Sequence, residues 1–321
     1  MNIINDIDSR KLPAVGIGIP RMLVVLSLLT LPILYPAGVL GNNTIPASVG
    51  ITSVQFVVYG DSRSNPEEHR KIVDLIIGSG TKIVFHAGDL VAEGNSTSDW
   101  ESFNNVVDPL LRVAEFYPAL GDHEGNSPLY FANFHLPNNE RWYSIRKDGI
   151  SFIILDSNSD LSPTSEQFHW LEEEVSRANM QDLFTVVLFH HPPFTTGPHQ
   201  EDEKGLRRYV IPLLERNGVE IVFNGHVHAY ERSYNNGIHY IVTGGGGAPL
   251  YSQVRTTPSS KKFISVFHFC RVRKDRGQLV IEAIGDSGEV IDQFSVRPRP
   301  EITGHASGVD DRQEQIPLGS H

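Results

Sequence analysis

Cysteine is nearly absent from this chain: Cys270 is the single one among 321 residues. No intramolecular disulfide can form, and no Cys-rich zinc or redox framework exists; Cys270 sits in a strand-like run and reads as packed core. Excess positive charge is absent too. Lys and Arg total 27 against 38 Asp and Glu, a formal net charge of -11. A nucleic-acid binder needs a basic footprint, so nucleic acid is excluded as a general partner. Internal repeats are missing, and so is a nucleotide cradle. Gly244–Gly247 follow a strand-like run and lead to Ala248-Pro249-Leu250, without the Lys-Ser/Thr partner of a phosphate loop. They read as glycines that let backbone pass close to a site, and no organic cofactor is expected. Long apolar runs are scarce: one stands out, Met22–Leu40, without a charge.

That run approaches the ~20 residues a bilayer-spanning helix needs. Arg10, Lys11 and Arg21 precede it and no basic residue follows immediately, which predicts an N-terminus in the cytoplasm and the rest of the chain outside. The run reads as a signal peptide or a retained signal anchor, with a core helix as the alternative. Pro32 and Pro36 shorten the good helix, and a polar linker, Gly41–Gly50, sets it apart. The expected organisation is therefore a polar segment, signal/anchor segment (22–40) and linker over 1–50, one domain over 51–296 and a polar, mobile tail over 297–321. An extracytoplasmic domain is expected, with the membrane as a partner through residues 22–40. Oligomeric state is not legible.

Hydrophobic residues make up 40% of the chain, enough for a sizeable core. From residue 54 apolar runs of strand length alternate with helical patterns over 66–77, 98–113, 163–177 and 206–216. A hairpin is expected around Lys147-Asp148-Gly149. After 237 only strands follow, over 238–243, 262–272, 278–284 and 289–296. This pattern fits mixed α/β layers.

Five of the apolar runs end on a carboxylate or an imidazole, usually after glycine. Val54–Gly60 ends at Asp61, and Lys82–Gly88 at Asp89. Phe116–Gly121 ends at Asp122-His123-Glu124, and Phe184–Phe189 at His190-His191. Ile221–Phe223 runs through Asn224-Gly225 into His226-Val227-His228. Sites in open α/β sheets lie at the carboxyl ends of strands, so five such ends on one edge would gather these groups into one pocket. Neutral imidazoles and carboxylates are ordinary metal ligands.

The ordered set Gly60-Asp61, Gly88-Asp89, Gly121-Asp122-His123-Glu124, His190 and Gly225-His226-Val227-His228 resembles the calcineurin-like metallophosphoesterases. The longer Gly225–Arg232 match, with Tyr240–Gly247 after it, is similar to the purple acid phosphatase branch. The resemblance covers roughly 52–295. It implies a four-layer α/β/β/α sandwich of two mixed sheets flanked by helices. It implies two metal ions of the Fe, Mn or Zn kind and a phosphoric-ester hydrolase, of acid phosphatase type, in which a hydroxide on the metal attacks a small phosphate ester. Asp89 would bridge the ions; Asp61 and His228 would belong to one, and Asp122, His190 and His226 to the other. His123 would contact the phosphate and protonate the leaving group, with Glu124 orienting its other ring nitrogen.

Three departures stand out. Arg63 replaces a histidine common two residues after the first aspartate, Ala92 replaces the branch's tyrosine, and Asp122 replaces an asparagine. Arg63 either contacts substrate phosphate or makes a structural ion pair. His199, on the loop Phe194–Lys204, is a candidate substrate contact. His191 reads as support for its neighbour, and His86 as a core histidine. A phosphodiesterase or nucleotidase on the same site is the alternative activity. A membrane-tethered binding module that has lost one metal is the non-catalytic alternative, motivated by Arg63 and Ala92.

Overall fold

The structure, a computed structural model, describes residues 55–298. The apolar run 22–40, its linker and the tail beyond 298 lie outside the described residues. Among the described residues no helix is long and apolar enough to cross a membrane.

Two mixed sheets form the frame. The first contains β1 (Gln55–Tyr59), β2 (Ile83–His86), β3 (Glu115–Pro118), β11 (His268–Asp275), β12 (Gln278–Gly285) and β13 (Val290–Val296), in the order β13-β12-β11-β1-β2-β3. The second contains β4 (Tyr143–Lys147), β5 (Ile150–Ile154), β6 (Phe184–Leu188), β7 (Ile221–Asn224), β8 (Tyr230–Asn235), β9 (Ile238–Thr243) and β10 (Ser260–Ile264), in the order β10-β8-β9-β7-β6-β5-β4. The strands that lead into the site run parallel: β1 with β2, β2 with β3, β6 with β7.

Strand periodicity explains the layers. Successive side chains point to opposite faces, so Phe56 and Val58 of β1 enter the core between the sheets while Val57 and Tyr59 face the helices. Phe85 and Phe152 stack across the inter-sheet core at 4.5 Å, with Phe56 edge-on to Phe152 at 4.9 Å. Fully burying such a ring contributes about 1.5–3 kcal/mol. Helices α1 (Pro66–Gly78), α2 (Thr97–Leu111) and the short α3 (Pro128–Asn133) contribute to the apolar cluster on the outer face of the first sheet. Helices α4 (Glu166–Gln181) and α5 (Leu206–Arg216) do so for the second. The expected four layers are present. Because β1, β2, β6 and β7 are buried on both faces, they read in sequence as unbroken apolar runs.

Local chemistry sets the helix starts. Pro66 occupies the first turn of α1, where its missing N–H costs nothing, and the Asn65 side chain accepts the Glu68 N–H. Ser96 and Ser165 cap α2 and α4 in the same way.

The structure differs from the sequence expectation in three respects. The run 262–272 is two strands, because β10 pairs with β8 in one sheet and β11 with β1 in the other. An apolar run does not encode which sheet claims each end. Strand β8 and helix α3 were not anticipated. The five ligand-bearing strand ends come from two sheets rather than one edge: β1, β2 and β3 from the first, β6 and β7 from the second.

Candidate metal centre

Each donor sits where a parallel strand ends and the backbone turns sharply. Asp61 follows β1, Asp89 follows β2 and His226 follows β7; all three adopt left-handed backbone, with φ of 57°, 59° and 68°. The turns are crowded. A Cβ on Gly225 would lie 2.6 Å from Asp61 Oδ2 and 2.7 Å from the Ala87 carbonyl. One on Gly244 would lie 2.8 Å from Asp61 Oδ2, so the glycine run does let backbone pass beside the site.

Four donor atoms converge. His190 Nε2 lies 2.9 Å from Asp122 Oδ1, 3.3 Å from Asp89 Oδ1 and 3.2 Å from His226 Nδ1, which is 3.2 Å from the same Asp122 oxygen. Donors held 2.0–2.2 Å from one tetrahedral ion stand about 3.3–3.5 Å apart, close to this spacing. His190 Nδ1 donates to the Ala87 carbonyl at 2.8 Å, which turns Nε2 toward these acceptors. Acceptors crowded around Nε2 call for positive charge, either a proton on the ring or a metal ion in its place. Burial acts to lower the His190 pKa, but Asp89, Asp122 and Asp61 outweigh it and raise it to about 10. For Asp122, burial works upward and is overcome by hydrogen bonds from His190 and His226, which hold the carboxyl well below its ordinary range.

Asp61 is fully buried. Burial drives its carboxyl well above the ordinary range; His190 opposes this and Asp89 adds to it. Both its oxygens accept the His226 backbone N–H at 3.0 Å, and Oδ1 lies 3.5 Å from His228 Nε2. His228 donates from Nδ1 to the Pro249 carbonyl at 2.7 Å and stacks on Tyr251 at 4.2 Å. Burial lowers its pKa to about 4, with the Arg63 charge adding to that. The donor set of imidazoles and carboxylates and the crowded turns around His190 fit a metal ion.

Arg63 is brought into the site, with Nε 3.2 Å from Asp89 Oδ2. His123 Nε2 lies 3.7 Å from the same oxygen, and its Nδ1 donates to the Ala92 carbonyl. His199 lies with its ring 4.0 Å from that of His226. His191 does support the loop, its Nδ1 pairing with Ser157 Oγ at 2.8 Å.

Glu124 corrects the sequence expectation. It does not touch the His123 ring; its buried carboxylate accepts the backbone N–H groups of Asp89, Gly121 and Val91 at 2.9, 2.9 and 3.1 Å. Three convergent N–H donors outcompete one imidazole. Its part is to position the turns, not to touch reacting atoms.

Glu203 was missed. Its oxygens lie 3.4 Å from His226 Nε2 and 3.4 Å from His191 Nε2, and with His199 and His226 it forms a further group of close donors. The available signal was an acid four residues after His199, on the same loop Phe194–Lys204. His86 is a buried core residue, paired through Nε2 with Ser62 Oγ at 3.1 Å.

Comparison with known proteins agrees with this geometry. The calcineurin-like phosphoesterase family model matches residues 54–230. Purple acid phosphatase 18 of Arabidopsis thaliana is 31% identical over 197 residues, covering 54% of this chain and 45% of that protein. Purple acid phosphatase 22 of the same plant is 28% identical over 219 residues, covering 60% and 50%. The chain thus spans about half the length of the curated relatives it matches. Among solved structures, a purple acid phosphatase from yellow lupin (Lupinus luteus) seeds superposes with a TM-score of 0.69 at 21% identity, over 76% of this chain and 53% of that one. GAP50, described as the anchor in the inner membrane complex of Plasmodium, gives 0.67 at 18% identity, over 78% and 90%. At these identities the two structures speak to fold alone.

Proposed function

The chain belongs to the calcineurin-like phosphoesterase family, and from that premise we propose that it is a metal-dependent phosphoric-ester hydrolase, a phosphomonoesterase of acid phosphatase type acting on small phosphate esters. The observation that carries this reading is the convergence on His190 Nε2 of Asp89 Oδ1, Asp122 Oδ1 and His226 Nδ1, each 2.9–3.3 Å from it. These residues would hold one ion; Asp61 and His228, with Asp89, make up the family's other position. Mixed imidazole and carboxylate donors suit iron, manganese or zinc. When bound, the metal supplies Lewis acidity toward the phosphoryl oxygens and an activated water.

The chain's own residues do the rest. In hydrolysis a P–O bond to the leaving alcohol breaks and one to the water oxygen forms. His123 supplies the proton that the alcohol takes. Because Nδ1 donates to Ala92, the nitrogen left to carry that proton is Nε2, which is turned toward Asp89 Oδ2. His199, on its overhanging loop, bounds the site. The proposed location is extracytoplasmic, supported by the basic residues ahead of segment 22–40.

A second reading, a membrane-tethered binding module, draws support from the Arg63 contact with Asp89. One experiment separates the two. The full chain is stripped by chelation and restored with Mn, Fe or Zn, singly and in pairs, while p-nitrophenyl phosphate and bis-p-nitrophenyl phosphate are assayed beside Asp89→Ala. Metal-restored turnover that Asp89→Ala abolishes, faster on the monoester, is the expected result. Folded protein without turnover under any metal sinks the hydrolase reading, and faster diester turnover replaces the monoesterase by a phosphodiesterase.

A further inference from the structure

We propose that the Arg63 guanidinium is the resident cation of one half of this site, so that the chain loads one metal ion where its family's motif provides for two. The proposal rests on the metal-dependent reading above and goes on to fix the number of ions.

The two oxygens of Asp89 face different neighbours. Oδ1 lies 3.3 Å from His190 Nε2, and Asp89 forms groups of close donors with Asp61 and His190 and with Asp122 and His123. Oδ2 lies 3.2 Å from Arg63 Nε, and Arg63 Nη2 lies 3.5 Å from His228 Nε2. The guanidinium therefore spans Asp89 Oδ2 and His228 Nε2. An ion bound to those two atoms at 2.0–2.2 Å would need the gap that the guanidinium crosses.

The donors tell the same story independently. Among the described residues, His228 enters none of the groups whose ligand atoms all lie within 4.8 Å of one another, whereas His190 and His226 each enter two. Asp61 Oδ1 stands 3.5 Å from His228 Nε2, but the two positions that depart from the family pattern add no donor to it. Arg63 has no lone pair to give, and Ala92 contributes only its carbonyl, which His123 already engages. The Arg63 side chain is only 17% exposed and is also joined to Ser64 Oγ at 3.3 Å. Its planar fork also matches the spacing of two phosphate oxygens, so a guanidinium here offers substrate a fixed positive partner in place of an ion.

The test counts ions and does not depend on turnover. The full chain, Arg63→His and Arg63→Ala are each loaded with excess Mn(II), desalted, and measured by elemental analysis and electron paramagnetic resonance. About one ion per wild-type chain is expected, with the uncoupled spectrum of an isolated Mn(II). In Arg63→His the count rises to about two, with an exchange-coupled spectrum, because the guanidinium is gone and a donor stands in its place. Two coupled ions in the wild type, or a single ion in a folded Arg63→His, would overturn the proposal while leaving the hydrolase reading intact. No ion in the wild type would overturn both. If the variants do not fold, the wild-type count and spectrum decide alone.

Discussion

The Glu124 carboxylate lies against the backbone of Asp89, its Oε2 accepting the Asp89 N–H at 2.9 Å and the Gly121 N–H at the same distance. One buried acid thus ties the turn after β2 to the turn after β3, and with them fixes the spacing of Asp89 and Asp122. Burial and the Asp89 charge push the Glu124 carboxyl up to about 8. Glu124→Gln turns an amide N–H₂ toward N–H donors, and a buried donor left unpaired costs about 1–3 kcal/mol. Its unfolding free energy in urea should fall by that amount, and metal retention in a chelator competition should weaken about 10–100-fold. Unchanged retention would mean the turns hold without the tie.

At Gly225 backbone and site press close together. A methyl group there meets Asp61 Oδ2 and the Ala87 carbonyl, and neither the buried carboxylate nor the strand end has room to retreat. Gly225→Ala should cost about 1–3 kcal/mol and release metal together with stability. A thermal melt read beside metal content checks both. A loss of stability with full metal content would place the strain elsewhere.

His123 is 29% exposed at its side chain, so replacing it should leave the fold nearly untouched. His123→Asn is expected to keep its unfolding free energy within about 0.5 kcal/mol of wild type while turnover falls about 10²–10⁴-fold. The fall should be smaller for p-nitrophenyl phosphate, whose leaving group needs little protonation, than for alkyl phosphates. Equal losses on both would remove His123 from proton transfer.

His69 gives a pH dependence away from the metal ligands. The ring is buried, pairs through Nε2 with the Tyr59 hydroxyl at 3.2 Å and stacks on Phe103. Burial, aided by the Arg70 charge, lowers its pKa from 6.5 to about 3. Between those values the unfolded chain holds a proton that the folded chain does not. The contribution to stability is therefore complete above pH 6.5 and is lost as pH falls toward 3, at up to about 1.4 kcal/mol per pH unit. Denaturant titrations from pH 7 to 4 should show a shallower decline for His69→Gln than for the wild type. Parallel curves would show that folded His69 takes up the proton.

Much of the site was legible because parallel strands buried on both faces leave unbroken apolar runs, and the first polar residue after each run marks the sheet's carboxyl edge. That brought Asp61, Asp89, Asp122, His190, His226 and His228 together before any coordinates. Features built from contacts across the chain were not legible. Glu124 bonds to backbone 33 and 35 residues away, and Glu203 reaches His226 from a loop without periodicity. Neither leaves a local pattern. The division of 262–272 between β10 and β11 is hidden for the same reason, since the pairing partners, not the run itself, decide where the chain leaves one sheet for the other.

The left-handed turns at Asp61, Asp89 and His226 carry an evolutionary consequence. Side chains other than glycine sit in that backbone region against a steric penalty of about 1–2 kcal/mol each, eased somewhat for aspartate. Selection for folding alone would favour glycine or asparagine at all three. A lineage released from the need for these donors would gain stability by discarding them. Decay of the site would therefore be written first at these three turns, while the apolar runs leading into them stayed intact.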